Sequence, residues 1–225
     1  MLKKSISLAL LLTSIFIYQF CDAGSVTHMF IAKETIAKLQ DKELANLLLN
    51  NMDAYLVGSN YPDTGFIRGT HYGNASHWET FINTFVIYLR EKYPFPDQQN
   101  PKLVAFVLGC AAHDISDQVF HGTFLNTVAM NDFKGNWNKA HQQSETALDL
   151  LITVEKNQWG VRPSMWWVPM SDLLAVYHRM GSNQFSLAEI FWGNTVYSFA
   201  GISERAVSPF AYGYIRLKMP WLAHH

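Results

Sequence analysis

The sequence predicts an all-α protein: a single multi-helix domain built around a metal cleft. Three observations carry this. Apolar residues recur at intervals of three and four in nearly every segment, no stretch alternates apolar with polar residues as a half-buried strand does, and histidines stand four residues from carboxylates in two of the helical stretches. Residues four apart lie on one helix face, so such pairs project together.

Helices are expected at 28–40, 42–56, 76–91, 101–121, 137–155, 170–180 and 187–205. Asn100 followed by Pro101 reads as a polar cap with proline in the first helical position. Ser186 with Glu189 three residues on reads as a capping box before the last helix. Pro94 and Pro96 end the third. The stretch 57–74, with glycines at 58, 65, 69 and 73, is the longest irregular region, and loops of that kind often carry function.

Lys3 and Lys4, an apolar run from Ile6 to Phe20 and small residues at Cys21 and Ala23 read as a secretory signal peptide at 1–23. The run is short for a membrane span. A lipoprotein reading through Cys21 is weaker because Phe20 suits lipidation poorly, and an uncleaved anchor is a further alternative. The domain is expected at 24–225, of ordinary single-domain size. Removing Lys3, Lys4 and Asp22 with the leader leaves fifteen Lys and Arg against seventeen Asp and Glu. That balance offers no basic field for nucleic acid. Cys110 would be the one cysteine of the secreted domain, placed in an apolar run as a core residue with no disulfide partner. The seven tryptophans fit either a lipid-facing surface or core packing.

His113, Asp117 and His121 form a column at intervals of four, continuing the apolar run 103–110, and His141 stands four before Glu145. Zinc takes imidazole nitrogen and carboxylate oxygen, and one column could feed two neighbouring ions. A hydrogen-bonded polar helix face is the competing reading for each pair, as are a cap or surface role for His28 and His77 and a turn role for Asp63 after Pro62. A helical bundle can nevertheless gather scattered donors into one cleft.

The segments Asp53-Ala54-Tyr55, Tyr61-Pro62-Asp63, Ser76-His77-Trp78, Tyr88 through Pro94, Lys102 through Phe106, Ala140-His141 and Trp167-Val168-Pro169 with Asp172-Leu173-Leu174 resemble the N-terminal catalytic domain of the glycosylphosphatidylinositol-specific phospholipases D. More distantly, the donor order is similar to the bacterial zinc-dependent phospholipases C and the single-strand-specific zinc nucleases. The resemblance implies a zinc-dependent phospholipase C-like fold holding up to three zinc ions. It assigns His77, His113 and Asp117 to a first zinc, with Asp63 as a further ligand or the catalytic base. It assigns His121, His141 and Glu145 to a second, and His28 to a third, bridged by Asp117. In the bacterial enzymes an N-terminal tryptophan completes the third site, whereas cleavage after Ala23 would here leave Gly24 four residues before His28. The phospholipases D continue into a large β-propeller, for which 225 residues leave no room.

The implied reaction is hydrolysis of a phosphodiester, favouring D-type cleavage of glycosylphosphatidylinositol anchors. Phospholipase C action on ordinary phospholipids is the runner-up, and an inactive zinc- or lipid-binding protein is a third reading. The implied partners are a phospholipid or glycosylphosphatidylinositol-anchored substrate and a transiently contacted membrane surface. Nucleic acid is disfavoured, and the oligomeric state is open.

Overall fold

The computed structural model describes residues 24–95, 98–160 and 167–218. The expected leader, Pro96, Trp166 and Trp221 lie outside the described residues. Helices carry the described chain, and no strand occurs among those residues. In order they are α1 (Ser25–Lys38), α2 (Lys42–Asn50), α3 (Met52–Gly58), a 3-10 turn (Pro62–Phe66), α4 (Gly73–Ser76), α5 (Glu79–Lys92), α6 (Pro101–Val119), a π segment (Phe120–Leu125), α7 (Asn126–Asp132), α8 (Trp137–Glu155), α9 (Met170–Arg179) and α10 (Leu187–Lys218).

Several ends follow local chemistry. Asn100 accepts from the amides of Lys102 (3.1 Å) and Leu103 (3.3 Å), with Pro101 behind it. Ser186 accepts from the amide of Glu189 at 3.2 Å, but the Glu189 carboxylate turns to the amide of His71 across the molecule, so that capping box is only half formed. The helix expected at 42–56 breaks at Asn51, whose Nδ2 donates to the Leu47 carbonyl at 2.9 Å and competes with the regular ladder. The helix expected at 76–91 breaks at His77 and Trp78, because the His77 ring takes the Gly73 carbonyl and Trp78 turns extended. Two expected helices run long: the one expected at 101–121 passes into the π segment and α7, and α10 continues beyond 205 to Lys218 with Pro209 inside it.

Helix α6 is the central beam, flanked by α1, α3 and α5, while α8 packs on α1 and α10. A first core unites Val57, Tyr61, Phe81, Phe85, Phe106 and Tyr177, and a second joins α1, α2 and α3 to α6 through Met29, Ala32, Leu48, Ala54 and Ala105. Cys110 is fully buried in the first. Glycine decides how closely α3 approaches α6. A Cβ on Gly58 would strike the Phe106 carbonyl, and one on Gly109 would strike the Tyr55 carbonyl. The stretch 57–74 is therefore a wound, largely buried segment rather than an open loop.

Candidate metal centre

All eight donors named from the sequence fall into clusters in which one atom of each residue lies within 4.8 Å of the others: His28, Asp63 and His113; His77, His113 and Asp117; and His121, His141 and Glu145. Five elements and the break before α5 converge to build them. His28 comes from the first turn of α1, Asp63 from the 3-10 turn, His77 from the break before α5, His113 and Asp117 from one face of α6, and the third cluster from the π segment and α8. The expected column divides where the helix widens. His121 sits in the π segment and meets Glu145 and His141 of α8.

His77 Nε2 lies 3.1 Å from His113 Nε2 and 3.2 Å from Asp63 Oδ1, and His113 Nε2 lies 3.3 Å from Asp117 Oδ2. The second oxygen of each aspartate faces His28, with Nε2 3.3 Å from Asp117 Oδ1 and 3.9 Å from Asp63 Oδ2. Both carboxylates thus present one oxygen to the His77–His113 side and the other to the His28 side. Donors at zinc distances of about 2.0–2.1 Å in a tetrahedron stand about 3.3–3.4 Å apart, close to every separation above except the 3.9 Å from His28 to Asp63.

Each of the three rings is held by its other nitrogen. His77 Nδ1 donates to the Gly73 carbonyl at 2.8 Å and His113 Nδ1 to the Ser59 carbonyl at 2.9 Å. Ser116 Oγ donates to the His113 carbonyl at 2.8 Å, so it accepts from His28 Nδ1 at 3.0 Å. In the neutral rings the proton is therefore on Nδ1, and the Nε2 lone pairs all point inward. Inward lone pairs beside buried carboxylates call for a cation. Asp63 Oδ2 and Glu145 Oε2 are both buried without a hydrogen-bond donor.

Electrostatics points the same way. Burial works against ionisation of Asp63 and Asp117, yet both carboxyls are held below their usual range, Asp63 by the charge of His113 and a hydrogen bond from His77, Asp117 by a hydrogen bond from His113 and the charge of His28. Burial alone would lower His113. Asp63 and Asp117 overcome it and raise the ring to about 9. Burial and the charge on His113 lower His28. Without metal, protons provide the positive charge that the carboxylates demand.

In the third cluster Glu145 Oε1 lies 2.9 Å from His141 Nε2 and 3.3 Å from His121 Nε2, and the two rings meet at 3.2 Å. Trp137 stacks on His141 with ring centroids 4.9 Å apart.

Sequence reasoning missed the residues that hold the donors. Ser116 orients His28 from inside the motif itself. Asp149, four residues beyond Glu145 on α8, accepts from the amides of Val26 (3.0 Å) and Thr27 (2.8 Å) and from Thr27 Oγ1 (2.6 Å). It thus satisfies the start of α1, where Gly24 provides no side-chain cap. Burial pushes its carboxyl up to about 7 against those hydrogen bonds. Tyr177 of α9 donates to Ser76 Oγ at 2.6 Å, since Ser76 gives its own proton to the Tyr72 carbonyl, and accepts from Tyr61 at 2.7 Å. One hydroxyl therefore braces the neighbours of both His77 and Asp63. A lone acid in the apolar run 147–152, four residues beyond Glu145, was the readable signal for Asp149. No comparable signal exists for Ser116 or Tyr177.

The family described as zinc dependent phospholipase C matches residues 27–184, most of the chain. The chain belongs to that family. Within the zinc-dependent phospholipase C family it is 32% identical over 183 residues to phosphatidylinositol-glycan-specific phospholipase D of Mus musculus, covering 76% of this chain and 22% of the relative. It is 32% identical over 173 residues to the Homo sapiens protein of the same name, covering 70% and 20%, and 33% identical over 173 residues to that of Bos taurus, again covering 70% and 20%. The chain spans about a fifth of the length of these curated relatives. No solved structure matches it. All three clusters lie inside the family match and α10 lies beyond it. Zinc, the metal in the family's description, suits the donor set of imidazoles and carboxylates.

Proposed function

We propose that the protein is a secreted, zinc-dependent phosphodiesterase that hydrolyses phospholipids by D-type cleavage at the inositol phosphate linkage of glycosylphosphatidylinositol anchors. Membership of a phospholipid-hydrolysing family supports the coarser activity. The names of the mammalian relatives favour the anchor linkage. The observation that carries the reading is the pair of aspartates, Asp63 buried and Asp117 half-buried, each dividing its oxygens between two groups of inward-facing imidazole nitrogens.

His77, His113, Asp63 and Asp117 would hold one zinc, His28 with the remaining oxygen of Asp117 a second, and His121, His141 and Glu145 a third. Zinc bound there supplies Lewis acidity toward phosphate oxygens and lowers the pKa of a coordinated water. The chain's own task is placement. Gly73, Ser59 and Ser116 fix the three imidazole tautomers, while Asp63, which lacks a hydrogen-bond donor on Oδ2, would accept a proton from the attacking water and orient it. The domain would span 24–225 after removal of a leader at 1–23.

The family's own description favours a second reading, phospholipase C action on ordinary glycerophospholipids. Zinc content and product identity on phosphatidylinositol and on an anchored protein, before and after chelation, separate the readings. Three zinc ions and phosphatidate are the expected result. Diacylglycerol would establish the second reading, and metal without turnover would leave a binding protein.

A further inference from the structure

The metal ligands are bordered by aromatic rings that the core does not use. Trp137, 38% exposed, stacks on His141 and meets His121 edge-on at 5.6 Å. Phe120 packs on His121 at 5.7 Å and Phe124, 40% exposed, stacks on Phe120 at 5.0 Å. On the other side Phe66, 49% exposed, covers His77 at 4.8 Å. Four large rings thus stand one or two contacts from ligand histidines while reaching solvent.

Such exposure is costly in water, and burying these rings in a core would satisfy them better. The π segment has a direct part in the arrangement, since Phe120, His121 and Phe124 all belong to it. Its wider turn sends His121 to the metal group while its two phenylalanines stay outside.

We infer that Phe66, Phe120, Phe124 and Trp137 form an apolar collar that docks the metal cleft onto a lipid surface and receives the glycerol and upper acyl portion of the lipid whose phosphate the metal groups take. The inference rests on the phospholipid reading above and names the surface through which that substrate arrives. Two features fix the occupant. Three of the four rings touch ligand histidines themselves, and the fourth stacks on one of those three, so whatever adjoins a metal-held phosphate meets an apolar wall. The chain's near-neutral balance, 17 Lys and Arg against 18 Asp and Glu, gives no reason for an anionic surface to be preferred. Aromatic rings of this kind favour the headgroup boundary of a bilayer.

A second exposed apolar face exists on α10, where Phe199 and Phe210 are 62% and 81% exposed. That helix supplies none of the clustered donors, which makes it the proper control.

The test is co-sedimentation of the zinc-loaded full chain with dioleoylphosphatidylcholine vesicles, for the unaltered protein, Phe124→Ser and Phe210→Ser. Phe124 touches no ligand histidine and is partly exposed, so its replacement spares the metal groups and the core. Binding that persists in about 0.5 M salt and falls about tenfold in Phe124→Ser alone is expected. The ratio of vesicle turnover to turnover of a soluble phosphodiester should fall with it. Absence of vesicle binding by the unaltered protein, an equal effect of the two variants, or loss in Phe210→Ser alone would overturn the collar. Binding of a single-stranded oligonucleotide that is lost in Phe124→Ser, without vesicle binding, would overturn it in favour of base stacking. Vesicle binding does not require turnover. Bound vesicles without hydrolysis would refute the enzymatic reading and leave the collar standing, whereas hydrolysis of a soluble diester without vesicle binding would do the reverse.

Discussion

Deleting one oxygen tests the whole account of how the imidazoles are aimed. In Ser116→Ala the His28 Nδ1 proton loses its acceptor at 3.0 Å, and the ring is 7% exposed, so water cannot readily replace it. An unmet buried donor costs about 1–3 kcal/mol. If that cost falls on the metal-ready orientation, at about 1.4 kcal/mol per factor of ten, affinity for the ion beside His28 drops roughly 5- to 140-fold. The other rings keep their own acceptors at Gly73 and Ser59, so the remaining ions are expected to stay. Competitive titration with a chromophoric chelator, resolved into successive zinc equivalents, reads this directly. One weakened equivalent is the expected pattern. Unchanged affinity throughout, or equal weakening of every equivalent, would refute the tautomer argument and the separate ion position beside His28.

Other perturbations probe different links. Tyr177→Phe leaves the buried Tyr61 hydroxyl without its acceptor and removes a donor to Ser76, so urea unfolding should show a loss of about 2–4 kcal/mol, with weaker zinc binding at His77. Gly109→Ala forces a methyl against the Tyr55 carbonyl between α3 and α6, and thermal unfolding should show a loss of at least about 1–3 kcal/mol. In metal-free protein, the raised His113 contributes stability that is full below its ordinary value of 6.5 and is lost as pH rises through about 9. Asp63 and Asp117 have the opposite sign: their contribution is present above 3.8 and lost as pH falls through their depressed values. Urea midpoints of the chelated protein should therefore fall between pH 6.5 and 9, while the zinc-loaded protein, whose imidazoles must be neutral, should show no such decline.

The sequence made some of this readable and hid the rest for identifiable reasons. Spacing of four was sufficient for His113 with Asp117 and for His141 with Glu145, because both pairs lie on regular helix. At His121, carried by the π segment, the partners come from α8, which spacing along one helix cannot reveal. The cap at Asn100 was legible because its partners are two and three residues away. The breaks at Asn51 and His77 were not, since each depends on a side chain taking a carbonyl that regular helix would use. Glycines in 57–74 resembled loop chemistry, yet Gly58 serves a tight helix crossing. Tryptophan composition left surface and core readings open. Exposure now divides them, with Trp78, Trp137 and Trp192 outward and Trp167 packed against the core.

The Asp149 anchor also bears on the order in which the molecule is assembled. Val26 waits for a carboxylate 123 residues downstream, so the start of the first helix has no lasting partner until most of the domain has left the ribosome. Contacts that close so long a loop form late. His28 is attached to that helix and Asp117 lies far along the chain, so zinc capture at the position proposed between them would belong to the end of folding. A nascent chain would travel as an apo polypeptide and take up its metal after release. The availability of zinc where folding finishes, rather than where synthesis occurs, would then determine how much active protein a cell obtains.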